Sequence, residues 1–111
     1  MSEEFAIEYA KRRARERGYP EYRLVYREFI LPAGGRLRLT GYNEIWLVLY
    51  IAWGLIVESD YGRYQNWYVE GNVSNTHEHA DQIEIINTRK YQRRIRFLQV
   101  ILKTKTDGDT K

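Results

Sequence analysis

The chain has 111 residues, of which 43% are hydrophobic and 30% charged, with a net charge of +3 at pH 7 and no cysteine. This length suits one domain with a single core, and the composition argues against wholesale disorder. The absence of cysteine excludes a disulfide scaffold and favours assembly in a reducing compartment. Because residues 1–20 are charged throughout, we expect no signal peptide.

The N-terminal segment, residues 1–18, is predicted to be a basic amphipathic helix. Glu3 and Glu4 suit the positive end of a helix macrodipole, and the later arginines suit its negative end. Gly18 is the predicted stop. The apolar stripe is narrow, so we expect the helix to dock on a partner or to lie loosely on its own sheet. The helix residues predicted to contact a partner are Phe5, Tyr9, Lys11, Arg12, Arg13 and Arg15.

After this helix the hydrophobic period changes to two, which indicates β-strands. The new period begins at Tyr22, and the first predicted strand has about eight residues, Leu24–Leu31, before the turn Pro32–Gly35. Arg36–Thr40 alternates as a second strand. Gly41–Asn43 is then predicted to turn the chain into a central strand.

The central strand belongs to a run without charge, the thirteen residues Ile45–Val57. The run is too short for a membrane helix, which needs about 20 apolar residues. Its β-branched and aromatic side chains favour strands, although a buried helix stays open as an alternative. Gly54 divides the run, so we predict strands over Glu44–Ala52 and Leu55–Glu58 with protein on both faces.

The rest of the chain continues as strands and loops. Tyr64–Glu70 is predicted to be an aromatic strand, Gly71–Gln82 a polar surface loop and Ile83–Ile86 a strand. Tyr91–Leu102 is the predicted last strand, and a polar tail follows over residues 104–111. Short strands joined by Gly, Pro and Asn turns are typical of an antiparallel sandwich. The predicted fold is therefore mainly β, a small antiparallel, jelly-roll-like β-sandwich over residues 19–103 with one N-terminal α-helix.

The charges are unevenly distributed along the chain. Residues 89–105 hold seven basic and no acidic side chains, whereas the middle of the chain is acidic. This pattern predicts that the last strand contacts something negative, and a solvated strand face stays open beside that interpretation. The last-strand residues predicted to bind a partner are Arg93, Arg94 and Arg96. Nucleic-acid binding by the helix and this strand is an alternative hypothesis.

The segment Phe29–Leu37, an apolar strand with a Pro-Ala-Gly turn and a second strand, resembles the opening hairpin of small β-sandwich structural proteins of bacteriophage virions. The later order is similar, with Ile45–Tyr50 as the central strand, Ile83–Asn87 as the penultimate strand and Ile95–Ile101 as the closing strand. The resemblance covers residues 24–102. It implies a non-enzymatic capsid, decoration or fibre-base protein without a cofactor. It also implies homo-oligomers or binding to larger capsid proteins, with assembly in the host cytoplasm and a final location in the virion.

Two alternatives depend on particular side chains. The order Gly71, His77, His79 and Glu84 resembles the first metal-binding motif of the cupin barrels, so His77, His79 and Glu84 are a candidate metal site. The second cupin motif has no counterpart, because no histidine follows His79, and two exposed loop histidines are the simpler interpretation. The second alternative is an aromatic platform for sugar or single-stranded nucleic acid, or else part of the core, formed by Tyr61, Tyr64, Trp67 and Tyr68. The chain contains no P-loop, nucleophile elbow or cysteine, so we predict no enzymatic activity.

Overall fold

The computed structural model describes residues 3–60, 62–65 and 78–104, without the side chains of Gly62, Tyr64, Gln65 and Thr104. The predicted polar tail, most of the predicted strand Tyr64–Glu70 and the first part of the predicted loop Gly71–Gln82 lie outside these residues. The described elements are α1 (Glu3–Glu16), β1 (Glu21–Leu31), β2 (Arg36–Ile51), β3 (Leu55–Ser59), β4 (Gly62–Gln65), β5 (Glu78–Asn87) and β6 (Arg93–Thr104).

The described strands form one antiparallel sheet in the order β1-β6-β2-β5-β3-β4. β2 is the longest strand, and it pairs mainly with β5 through Arg36–Gly41 and with β6 through Glu44–Ile51. The predicted mainly β, antiparallel fold with one N-terminal helix is confirmed. Among the described residues, no helix has the length and apolarity needed to cross a lipid bilayer.

The inner face of the sheet carries the larger hydrophobic cluster. Its buried members include Leu31, Trp46, Val48, Ile51, Leu55, Val57, Ile83, Ile85, Ile95 and Phe97. The rings of Trp46 and Phe97 meet edge to face, with centroids 5.3 Å apart and planes at 80°. Because β1 and β3 come from opposite parts of the strand order and contribute to the same cluster, the curved sheet encloses this core in a sandwich-like arrangement.

The outer face of the sheet is partly covered by α1. Ala6, Ala10 and Ala14 are each 0% exposed and let the helix backbone approach the strands closely. They pack with Tyr9 on the second buried cluster, formed by Ile45, Leu47, Leu98, Val100 and Leu102. The narrow apolar stripe is therefore buried within the chain, on its own sheet.

The uncharged central run is covered on both faces, as the sequence predicts. Ile45 and Leu47 face the helix, whereas Trp46 and Val48 face the inner core, and all four are buried. The run forms two consecutive strand segments, Glu44–Ile51 and Leu55–Ser59, with Gly54 between them. The alternative of a buried helix is therefore wrong.

The predicted turn at Gly41–Asn43 is wrong, because β2 continues through it as one strand. A Cβ atom at Gly41 would lie 2.9 Å from the backbone nitrogen of Asp81, so the glycine permits two strands to approach closely instead of reversing the chain. Asn43 and Asp81 have positive φ values of 60° and 62°, and the pairing of β2 with β5 is irregular between Gly41 and Trp46. This irregularity lets β2 change its main partner from β5 to β6.

The predicted surface loop Gly71–Gln82 is wrong at its C-terminal end, because β5 begins at Glu78. Glu78 and His79 are polar but buried, at 5% and 1% exposed, since each has a polar partner inside the fold. Polarity at these positions therefore reflects buried hydrogen bonds and not a surface loop.

Candidate functional site

Two of the predicted partner-binding residues, Tyr9 and Arg13, face the sheet and bind the carboxylate of Glu78. The Tyr9 hydroxyl donates a hydrogen bond to Oε1 of Glu78 at 2.6 Å, and Nε of Arg13 donates to the same oxygen at 3.0 Å. Nη2 of Arg13 also donates to Oε2 of Glu78 at 3.2 Å. The two side chains therefore attach α1 to β5, and these hydrogen bonds lie within the chain.

This network shifts the proton equilibria of both helix side chains. Burial, followed by the hydrogen bond to Glu78, raises the pKa of Tyr9 to about 12. The hydrogen bond to Glu78 also raises the pKa of Arg13. Charged Arg13 and neutral Tyr9 are the forms that suit the buried carboxylate.

The remaining predicted helix residues face solvent. Lys11, Arg12 and Arg15 are exposed, and Arg12 lies over the Tyr9 ring with its Cζ atom 5.1 Å from the centroid. Phe5 is 42% exposed, and its ring stacks on Tyr9 with centroids 6.2 Å apart. Partner binding by these four exposed residues stays a prediction.

The cover provided by α1 ends near Arg96. Nη2 of Arg96 lies 3.7 Å from Oε2 of Glu3, at the start of the helix. Arg94 is two residues closer to the start of β6, so it lies on the outer face beyond the helix. We call this uncovered region, with the neighbouring β5–β6 turn, the aromatic–arginine surface: Ile30, Tyr50, Tyr91, Arg93, Arg94 and Arg96.

Strand pairing brings the members of the aromatic–arginine surface together. Ile30 is directly opposite Arg94, and Tyr50 is directly opposite Arg96. Cζ of Arg94 also lies 5.6 Å from the centroid of the Tyr50 ring, within the range of a cation–π contact. A groove of about 290 Å³ opens among these side chains, lined by Ile30, Tyr50, Ala52, Gln92, Arg93 and Arg94.

Tyr91 extends this surface over the β5–β6 turn. Cζ of Arg93 lies 4.3 Å from the centroid of the Tyr91 ring, and that of Arg89 lies 6.0 Å away. A hydrogen bond from Arg89, together with the charges of Arg89 and Arg93, lowers the pKa of Tyr91. The arginines therefore hold an exposed aromatic ring between cationic groups.

Asn87 fixes the turns that carry this surface. Its side-chain amide nitrogen donates hydrogen bonds to the carbonyl oxygens of Leu31 at 3.1 Å, Pro32 at 2.8 Å and Tyr91 at 3.0 Å. Its Oδ1 accepts a hydrogen bond from the backbone nitrogen of Arg89 at 2.9 Å. The sequence marked Asn87 only as a turn residue. Its buried position, which links two turns, is the feature that sequence reasoning missed.

The arginines of the surface have acidic neighbours within the chain. Arg94 and Arg96 lie 3.7 Å and 3.9 Å from the Glu28 carboxylate, with 55% and 40% of their side chains exposed. Exposed ion pairs of this length contribute about 0 to 1 kcal/mol. Both guanidinium groups can therefore exchange Glu28 for a partner's carboxylate at little cost.

The structure separates the described residues of the alternative metal site. His79 is buried, with Nδ1 2.7 Å from Oγ of Ser59, whereas Glu84 binds Nη1 of Arg36 at 2.8 Å. Their positions are five residues apart along β5, which corresponds to about 16 Å between the Cα atoms, and His77 lies outside the described residues. Within the part of the chain that the structure describes, no three His, Asp or Glu side chains form a group that could hold a metal. The interpretation of exposed loop histidines is also wrong for His79, since it is buried in β5.

The aromatic platform predicted from the sequence lies outside the described part of the chain. Tyr61, Trp67 and Tyr68 lie outside the described residues, as does the side chain of Tyr64. A second groove, of about 450 Å³, lies elsewhere and is lined by residues that include Arg38, Glu58 and Glu84. In this groove Glu84 has Arg38 on one neighbouring strand and Glu58 on the other, and Nε of Arg38 lies 3.8 Å from Oε2 of Glu84.

The chain matches no protein-family model, no curated protein and no solved structure. A functional inference for this chain therefore depends on the geometry of its own surfaces.

Proposed function

We propose that the protein is a non-enzymatic structural protein that acts by binding other protein chains, as a minor capsid, decoration or fibre-base component of a virus particle. The observation that supports this role best is the aromatic–arginine surface. The resemblance to bacteriophage structural proteins implies a small sandwich, and only the mainly β character of the fold bears on it. The predicted hairpin over Phe29–Leu37 is wrong, because β6 lies between β1 and β2 in the sheet.

The composition of the aromatic–arginine surface suits a protein partner. Tyrosine, tryptophan and arginine are the residues most enriched where binding energy concentrates in protein interfaces. Ile30, Tyr50 and Tyr91 are 57%, 46% and 51% exposed, which is costly for a chain that stays alone in water. A partner that covers these side chains would recover the free energy of burying them, about 25 cal/mol for each Å² of apolar surface.

The rigidity of the surface also supports binding. Ile30, Tyr50 and Arg94 project from paired strands, and the turn beyond them is held by the hydrogen bonds of Asn87. A surface that is already ordered loses little conformational entropy when a partner binds. The partner that fits is a protein with carboxylates for the arginines and an apolar side chain for the groove.

Nucleic acid is a less suitable partner for this surface. Stacking on Tyr50 and Tyr91 beside arginines would suit a single strand. However, Glu28 and Glu3 lie among the arginines and would repel phosphate groups, and Ile30 offers no ring for stacking. These features favour an acidic and apolar protein surface.

The test is retention of tagged chains on purified virus particles after washing at high salt. We expect the wild-type chain to stay bound and the Arg94→Glu variant to bind at least about tenfold more weakly, a loss of about 1.4 kcal/mol. Arg38→Glu makes the same charge change at a position that is 83% exposed and outside the predicted contact residues, and it should behave as wild type. Absence of the wild-type chain from the particles would contradict the proposal. Steeply salt-dependent binding to nucleic acid, weakened equally by Arg94→Glu and by Lys11→Glu on the helix, would support the alternative.

A further inference from the structure

We propose that the open edge of β1 pairs with the β1 edge of a second copy, forming an antiparallel dimer about a two-fold axis at Leu24. This inference rests on the proposed function, because it identifies one of the protein partners of a structural protein. It concerns the segment Glu21–Arg27 of β1, whereas the aromatic–arginine surface includes only Ile30 of that strand.

β1 is a long edge strand of the described sheet, with eleven residues. It pairs with β6 along Glu21–Leu31, and no strand among the described residues pairs with its other side. The backbone N–H and C=O groups on that side form a template for another strand. The side chains of Arg23, Tyr26 and Arg27 are exposed along it.

The side chains of β1 complement those of an antiparallel second copy when the axis passes through Leu24. A two-fold axis perpendicular to the sheet keeps both copies' outer faces on the same side and pairs residues at equal distances from the axis. Glu21 then lies opposite Arg27 of the second copy, and Tyr22 lies opposite Tyr26. By symmetry each pair occurs twice.

Neighbouring registers lack this complementarity. An axis through Val25 places Arg23 opposite Arg27 of the second copy. An axis through Arg27 places the two Arg27 side chains opposite each other, and an axis through Glu28 does the same for the two Glu28 side chains. Like charges directly opposite each other destabilise a strand pair. An axis through Tyr26 leaves every charged side chain opposite an apolar one. The charges of β1 therefore oppose most alternative pairings and favour the axis at Leu24.

The contacts of β1 within the chain prepare it for this pairing. Tyr22, Leu24 and Tyr26 are opposite Leu102, Val100 and Leu98 of β6, so the three side chains share the outer face. Nε of Arg27 donates a hydrogen bond to Oε1 of Gln99 at 2.9 Å, which orients the guanidinium group. Its Nη groups can then bind the Glu21 carboxylate of the second copy.

The dimer would have a consequence for the structural role. A continuous sheet would run through both copies, with the two aromatic–arginine surfaces on one side of it. Two linked surfaces bind a repetitive partner, such as a capsid lattice, more tightly than one surface does.

Charge exchange across the axis tests the pairing. By sedimentation velocity over a range of concentrations we expect dimers of the wild-type chain. The Glu21→Arg and Arg27→Glu variants should each raise the dimer dissociation constant at least about tenfold, because like charges then face each other twice. The double variant should restore the wild-type constant, and Arg38→Glu, at an exposed position of β2, should leave it unchanged. A monomeric wild-type chain, or single variants that dimerise as wild type does, would overturn the proposal.

Crosslinking tests the register, because the chain contains no cysteine. Under oxidation the Leu24→Cys variant should form a disulfide-linked dimer, since two residues on the axis have Cβ atoms about 5 Å apart. The Tyr26→Cys variant should remain uncrosslinked, since its two copies are four residues apart along the strands, about 13 Å. Circular dichroism confirms that both variants fold. Crosslinking at position 26 and not at position 24 would contradict the register.

The Arg94→Glu variant separates this inference from the proposed function. It should remain dimeric while its binding to particles weakens. If Arg94→Glu becomes monomeric while Arg27→Glu stays dimeric, self-association occurs through the aromatic–arginine surface. In that case the proposed pairing of β1 is wrong, and the proposed function stands. If wild-type dimers form as described but do not bind particles, the proposed function is wrong and the pairing stands.

Discussion

The Glu78 carboxylate is 5% exposed and accepts hydrogen bonds from two side chains of α1, the Tyr9 hydroxyl from 69 residues earlier and the Arg13 guanidinium from 65 residues earlier. Removing one member of a buried, hydrogen-bonded charge pair leaves the other charge without compensation, which costs more than the pair contributes while intact. The position of α1 on the sheet therefore depends on this carboxylate.

Replacement of Glu78 by glutamine should release this constraint while keeping the side-chain volume. We expect Glu78→Gln to lower the free energy of unfolding by about 2 to 4 kcal/mol, because Arg13 then loses a buried anionic partner. Urea unfolding followed by circular dichroism measures the change. Glu16→Gln is the matched control, since the Glu16 side chain is 51% exposed, and it should change stability by less than about 0.5 kcal/mol. Equal effects of the two substitutions would show that the buried network does not stabilise the helix.

Tyr9 should make the stability of the chain depend on pH in the alkaline range. Its pKa is about 12 in the folded chain against an ordinary value of 10.0, so the folded state favours the protonated hydroxyl. The stability that Tyr9 contributes should be fully present below pH 10 and should be lost as pH rises toward 12. Ultraviolet titration of tyrosinate together with urea unfolding measures both effects. Tyr9→Phe should remove this part of the pH dependence, and Tyr26→Phe, at an exposed position, should keep it.

At the scale of the elements, the close approach of β2 to β5 depends on the glycine at position 41. A Cβ atom at Gly41 would lie 2.9 Å from the nitrogen and 3.3 Å from the oxygen of Asp81, both backbone atoms that cannot move independently. We expect Gly41→Ala to destabilise the chain by about 1 to 3 kcal/mol, with faster amide exchange where β2 pairs with β5. Thr40→Ala introduces the same residue at an exposed neighbouring position and should have a smaller effect. Similar exchange rates in both variants would contradict the close approach.

The sequence predicted those elements whose side-chain pattern is produced by burial. The C-terminal end of β1 at Leu31 was predicted correctly, although the strand begins three residues before the predicted Leu24. The uncharged run over Ile45–Val57 was correctly assigned to buried strands, because alternation and β-branched side chains reflect the faces of a sheet. Gly41–Asn43 and the start of β5 were assigned incorrectly. In both cases glycine and polar residues suggested exposed turns, whereas contacts between distant segments account for them.

Contacts between segments that are distant in the sequence also limit how much of the candidate site could be predicted. The basic residues of β6 were identified from charge, and the pairing of Arg94 with Ile30 and of Arg96 with Tyr50 follows only from the strand order. Tyr9 and Arg13 resembled the exposed helix residues around them, since nothing local indicates that Glu78 is their partner. Asn87 likewise resembled an ordinary turn residue, although its side chain binds three carbonyl oxygens.

At the scale of the whole molecule, α1 divides the outer face of the sheet into two functional parts. The covered part, around Leu98 and Val100, completes the core, and the uncovered part, around Arg94 and Tyr50, is open to a partner. This division requires that the helix be an integral part of the fold and not a separable arm. The narrow stripe of Ala6, Ala10 and Ala14 suffices because small side chains bring the helix backbone close to the strands.

Substitution at adjacent helix positions tests whether α1 is integral to the fold. Ala10 is 0% exposed against the sheet, whereas the neighbouring Lys11 faces solvent. We expect Ala10→Glu to lower the free energy of unfolding by more than about 3 kcal/mol, because it buries a charge without a partner. The variant should also bind a fluorescent hydrophobic dye, since the outer cluster becomes accessible when the helix leaves it. Lys11→Glu places the same side chain in water and should change stability by less than about 0.5 kcal/mol. If both variants unfold at the same urea concentration as wild type, the helix lies loosely on the sheet and the uncovered surface has no fixed boundary.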